Sequence, residues 1–106
     1  MEKTQLMKGI LESCTLKIIE KSETYGYEIV EQLQQYGFED VKEGTLYPLL
    51  LRLEKKELIE ASFKPSPLGP KRKYYHLTES GKKALKGFVK DWKATVDAVE
   101  RVFEEG

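Results

Sequence analysis

A chain of 106 residues, 40% of them apolar and with a formal net charge of zero, suffices for one domain around one modest core. The single cysteine, Cys14, and the single histidine, His76, offer no paired metal-ligand spacing and no internal disulfide, and no Gly-rich phosphate loop or Ser/His/Asp grouping accompanies them, so no metal, cofactor or catalysis is expected. No apolar run is long enough to span a membrane and Met1-Glu2-Lys3-Thr4 lacks a secretory pattern, so a reducing cytoplasm is the expected setting.

The first helix is expected over about Thr4 to Lys21. Met7, Ile10, Leu11, Cys14 and Ile18 follow one helical face, and Leu6, Leu16 and Ile19 widen that stripe toward a second neighbour. Cys14 reads there as a small buried hydrophobe. Ser22-Glu23-Thr24 ends the helix and offers Thr24 as a cap for the next element. A second helix, about Tyr25 to Tyr36, turns Ile29, Val30 and Leu33 inward, and Gly37 supplies a left-handed stop. Residues Phe38 to Val41 connect to a third helix, about Glu43 to Lys56. Leu46, Leu49, Leu50 and Leu53 form its inner stripe; Thr45, Tyr47, Arg52, Lys55 and Lys56 occupy the other face. Pro48 is read as close enough to the helix start for its missing N–H to be tolerated.

Ile59 to Lys64 alternates as a half-buried strand, and the aromatic run Lys73 to Leu77 is its partner. Tyr75 is expected inside with Leu77, Tyr74 on the outer face and His76 on the surface. Between the strands, residues 65–72 contain three prolines and a glycine, which are expected to end ladder pairing and leave a projecting tip. That tip runs into three consecutive cations, Lys71, Arg72 and Lys73. Thr78 caps a last helix to about Glu104, with Gly81 where a full capping box would carry Glu or Gln. Along it Leu85, Val89, Trp92, Val96, Val99 and Phe103 form a heptad stripe. Such a helix is about 39 Å long, more than this domain can cover, so part of the stripe is expected to pack on a second copy.

The fold class that follows is mainly α with a small β-hairpin: a winged helix-turn-helix over residues 1–77 and a dimerisation helix over residues 78–106. In such a fold the third helix enters the major groove and the wing holds phosphates. The charge distribution agrees. Residues 1–41 carry four Lys and eight Asp/Glu, residues 42–76 carry eight Lys/Arg and four Glu, and residues 77–106 carry six of each sign. The basic middle third is where a phosphate-facing surface belongs. The expected DNA-binding residues are Lys42, Thr45, Tyr47, Arg52, Lys71, Arg72 and Lys73. On the third helix plainer alternatives stand beside these roles: Thr45 bonding the helix terminus, Tyr47 covering the core edge, and Arg52 pairing with Glu28 or Glu31; Lys55 and Lys56 read as a solvated face.

Three segments carry a family resemblance: Tyr25-Gly26-Tyr27-Glu28-Ile29, Glu43-Gly44-Thr45-Leu46-Tyr47-Pro48-Leu49-Leu50 through Arg52-Leu53-Glu54, and Gly69-Pro70-Lys71-Arg72-Lys73-Tyr74-Tyr75-His76-Leu77-Thr78-Glu79-Ser80-Gly81. In these the chain resembles the PadR family of transcriptional regulators, in its compact form with one C-terminal dimerisation helix. The resemblance implies a homodimeric repressor on a pseudo-palindromic DNA operator, released by a small molecule. It places a dimer and effector pocket at Leu6, Gly9, Ser13, Trp92, Val96, Val99 and Phe103, with Trp92 either anchoring the dimer core or stacking a planar aromatic effector. Lys42 departs from the pattern, since Ser or Asn is frequent there and caps the third helix; a lysine forgoes about 1 kcal/mol of capping and adds a cation. Two other functions stand against this reading: a winged helix used for protein interaction without sequence-specific DNA binding, and a small enzyme built on His76.

Overall fold

The computed structural model describes residue 7 and residues 9–105, the last by its backbone alone. Four helices and three strands are seen among these residues: α1 (Ile10–Lys21), β1 (Thr24–Tyr25), α2 (Gly26–Tyr36), α3 (Glu43–Lys55), β2 (Ile59–Ser66), β3 (Gly69–Leu77) and α4 (Glu79–Glu105). The apolar stripes read from the sequence are the ones that meet. Leu16, Ile18 and Ile19 of α1, Ile29 and Leu33 of α2, and all four leucines of the α3 stripe form one core with Ile59, Tyr75 and Leu85. Each such side chain contributes about 1.5–3 kcal/mol by leaving water.

The ends of the elements have local causes. Gly37 stops α2 at φ 123, and the bonds Gly37 N–H to Gln34 O and Phe38 N–H to Leu33 O satisfy the last carbonyls. The same pattern closes α3, but there the left-handed residue is Glu57, at φ 60. At the start of α4 the Thr78 hydroxyl accepts the Gly81 N–H (3.0 Å) and donates to the Glu57 carbonyl (2.7 Å), so one side chain caps α4 and ties it to the turn after α3. Gly81 is needed at this crossing, because a Cβ there would lie 2.1 Å from the Leu58 carbonyl oxygen.

Several expectations are corrected. The expected first helix is interrupted: Gly9 takes a left-handed φ of 84 that an α-helix cannot contain and separates the helical Met7 from α1, which starts at Ile10; residues 4–6 and 8 lie outside the described residues. Thr24 does not cap α2. It is buried in β1, a third strand with no counterpart in the expected hairpin, and its hydroxyl donates to Glu28 Oε1 at 2.7 Å while Tyr25 occupies the cap position. The sheet is antiparallel in the order β1-β3-β2.

The prolines do not end the ladder either. Pairing continues from Lys64↔Arg72 to Ser66↔Gly69, leaving Pro67 and Leu68 as the turn, with Pro70 and Lys71 opposing Pro65 alone in a bulge. The tolerance is topological. β2 is an edge strand, and β1 pairs with β3 only at Tyr74 and Tyr75, so a proline farther out costs no second ladder. Pro48 sits one full turn inside α3, where it removes an interior bond to the Gly44 carbonyl; Gly44 is exposed, which leaves that oxygen to water.

Past Leu85, α4 leaves the core. Val89, Trp92, Val99, Val102 and Phe103 are all exposed, and the molecule extends 56 Å along its longest axis against 29 and 21 Å across.

Candidate nucleic-acid interface

The open edge of α3 and the wing converge on one depression lined by Tyr25, Gly26, Tyr27, Tyr47, Arg72 and Lys73. Its floor depends on a close approach. A Cβ on Gly26 would come 2.9 Å from Tyr47 Cε1 and 3.2 Å from its hydroxyl, so the absence of a side chain at the start of α2 is what lets the Tyr47 ring approach it this closely. Tyr47 is still 46% exposed and Tyr27 54%, which leaves both rings open to a ligand. One side of Tyr47 covers the start of α2 and the rest of the ring is open to solvent. Lys42 and Thr45 are exposed at the leading end of α3. Lys42 occupies the cap position with no side-chain cap bond, as its lysine chemistry requires.

The wing cations differ from one another because β3 alternates. Lys71 is exposed. The Arg72 guanidinium stands 4.4 Å over the Tyr25 ring, which in turn meets Tyr74 edge-on at 5.4 Å, and Lys64 stands over Tyr74 and pairs with Glu23. Lys73 is on the other face, beside Tyr75 and toward the helices, and its ammonium lies 2.7 Å from Glu54 Oε1 of α3. Pairing with the Glu54 carboxylate raises the Lys73 pKa above the ordinary lysine value. Tyr75, buried as expected, has its pKa raised by desolvation. His76 is exposed and pairs with Glu60 at 3.1 Å.

Arg52 turns away from this depression. Its partner is Glu12 of α1 at 3.3 Å, which Lys56 also meets at 3.5 Å, rather than Glu28 or Glu31 of α2. Tyr25, Gly26 and Tyr27 were not among the expected site residues; the signal was a glycine between two tyrosines at a helix start, a place where backbone and aromatic surface are both open. Of the expected dimer and effector residues, Trp92 is 43% exposed and stacks on Phe88 with ring centroids 6.0 Å apart. Val99 and Phe103 are also exposed, Val96 and Ser13 are partly buried, and Gly9 is exposed at the start of α1. Leu6 lies outside the described residues. Cys14 is half-buried against the core and burial pushes its thiol pKa up, the behaviour of a packing residue.

Residues 15–87 match the model of the transcriptional regulator PadR-like family. The chain belongs to that family. Its members are transcriptional regulators and not enzymes. The fold is shared with a PadR-like transcriptional regulator of Bacillus cereus, 47% identical, with a TM-score of 0.86 over 93% of this chain and 96% of that one. A PadR family transcription regulator of Clostridium difficile is 34% identical, with a TM-score of 0.82 over 90% and 99%. An uncharacterized protein of Lysinibacillus sphaericus is 40% identical over 108 residues, which covers 100% of this chain and 98% of that protein. No helix among the described residues is long and apolar enough to cross a membrane.

Proposed function

We infer that this chain acts as a cytoplasmic homodimeric repressor, gripping a pseudo-palindromic operator with α3 and the wing and letting go when a planar aromatic molecule binds at the dimer interface. The observation that carries the DNA part is the depression where Tyr47, Tyr27 and Arg72 meet: an aromatic floor for base edges and sugars beside a guanidinium for phosphate. Lys42 and Lys71 extend the cationic rim on either side, Thr45 reaches the groove from the leading end of α3, and Arg52, held by Glu12, braces α3 from behind.

The dimer part rests on the exposed stripe of α4. Two such stripes in antiparallel contact, with α1 of each copy alongside, would cover Val89, Trp92, Val99 and Phe103 and set the two α3 helices one DNA turn (~34 Å) apart. Residues 1–77 then serve as the DNA-binding unit and residues 78–106 as the dimerisation helix. The stacked pair Phe88 and Trp92 supports a flat aromatic effector, since two parallel rings already present a face of the right shape. To act as a switch, that effector must bind one α3 spacing better than the other.

The test is fluorescence anisotropy on duplexes selected by the protein from a random library, against scrambled duplexes of the same composition. Preference for the selected duplex, falling steeply with salt, is expected. Equal binding to both would instead favour a protein-interaction module.

A further inference from the structure

Three adjacent cations on the wing invite one common role, and Arg72 and Lys73 both border the depression, yet β3 gives them different partners. Lys71 and Arg72 carry no carboxylate partner among the described residues, whereas Lys73 is held at 2.7 Å by Glu54, with both side chains only about one-third exposed (33% and 28%). We propose that Lys73 is a positioning residue: its ion pair with Glu54 sets the angle of the wing against α3, and that angle determines which duplexes both can grip together. This rests on the DNA-binding reading above.

The wing needs such a strut. From Phe63 to Pro65 and from Pro67 to Lys71 its residues are exposed, so beyond Tyr75 no core packing holds it. Two sets of contacts take over, one on each face. On the outer face, Arg72 over Tyr25 and Lys64 with Glu23 draw the wing toward the junction of α1 and α2. On the inner face, Lys73 with Glu54 draws it toward the last turn of α3. With the inner strut removed, only the outer contacts remain, and Lys71 and Arg72 shift relative to Tyr47. The charge argument runs the same way. Affinity through phosphate contact comes from counterion release by uncompensated cations, and an ammonium already neutralised by a carboxylate supplies little of it.

The two roles predict opposite signs for Glu54→Met. If Lys73 holds phosphate, freeing it from Glu54 tightens DNA binding. If it positions the wing, affinity for the selected duplex falls about 5- to 10-fold and the slope of log K against log salt stays as in the wild type. Lys73→Met gives the same loss with the same slope in the positioning role; a phosphate contact lowers the slope by about 0.9. The charge-swapped pair Glu54→Lys with Lys73→Glu recovers most of the affinity lost by Lys73→Glu alone. Tighter binding by Glu54→Met, a reduced slope for Lys73→Met, or no recovery in the swap overturns the proposal. The DNA-free protein gives a separate readout: heteronuclear relaxation of the Lys64 to Arg72 amides shows greater mobility in Glu54→Met. Unchanged relaxation overturns the strut even if the wild type proves indifferent to DNA sequence, an outcome that would remove the DNA reading by itself.

Discussion

Replacing Trp92 by alanine tests the assembly on which the two-groove geometry depends. In the single chain the residue is 43% exposed. With a tryptophan offering about 250 Å², roughly 110 Å² of it faces solvent in each copy. A symmetric interface removes that area twice, and about 220 Å² at ~25 cal/mol per Å² is about 5.5 kcal/mol. Alanine keeps part of that contact and burial is seldom complete, so a loss of about 3–4 kcal/mol is the working figure. That corresponds to a dimer dissociation constant raised roughly 10²- to 10³-fold. Sedimentation equilibrium over a range of protein concentrations measures it directly, with Lys93→Ala, an exposed polar position on the same helix, as a control. Because Trp92 lies outside the buried core cluster, the far-UV spectrum of residues 10–77 is expected to survive. A dissociation constant within threefold of the wild type, or a wild type that stays monomeric at about 10 µM, refutes the reasoning that this stripe is an interface.

Gly26→Ala is expected to displace the Tyr47 ring, since the new Cβ would sit 2.9 Å from Cε1; affinity for the selected duplex falls about 10-fold while the urea midpoint moves little, as anisotropy and equilibrium denaturation can check. Gly81→Ala is the contrasting case. Its Cβ meets a backbone oxygen at 2.1 Å, which cannot swing aside, so a loss of about 2–3 kcal/mol is expected in chemical denaturation. Lys73 and Tyr75 both have raised pKa values in the folded chain, so the unfolded chain loses these protons first as pH rises. Stability is therefore expected to be level through neutral pH and to decline above about pH 10, seen as a falling urea midpoint; Lys73→Met with Tyr75→Phe flattens that decline.

The helices were legible because their signal is local. The stripe Leu46, Leu49, Leu50 and Leu53 reports its inner face whatever it packs against, and the structure buries all four. The stripe of α4 was legible in the same way, and its excess length over the domain told that it continues past the core. β1 was not. Two residues cannot display alternation, and Thr24 and Tyr25 are a strand only because β3 arrives beside them from 50 positions away. The prolines misled for a related reason. Their missing N–H costs a bond only where a neighbouring strand would have accepted it, and which side of β2 and β3 is vacant depends on the strand order.

The candidate site divides along the same line. Tyr47 and the wing cations could be picked out from type and place, since an aromatic on the outer face of the third helix and a run of three cations are visible in one dimension. Their partners could not. The sequence offers Glu28 and Glu31 of α2 as partners for Arg52, yet in the fold it is Glu12 of α1 that lies 3.3 Å away. Lys73 was grouped with Lys71 and Arg72 by adjacency, although a strand sends neighbours to opposite faces and so separates Lys73 from Arg72. Strand period alone would have assigned Lys73 to the Tyr75 side and therefore toward the helices. Naming Glu54 as the residue it meets there needs the angle between α3 and the sheet, and that angle is a property of the packed core.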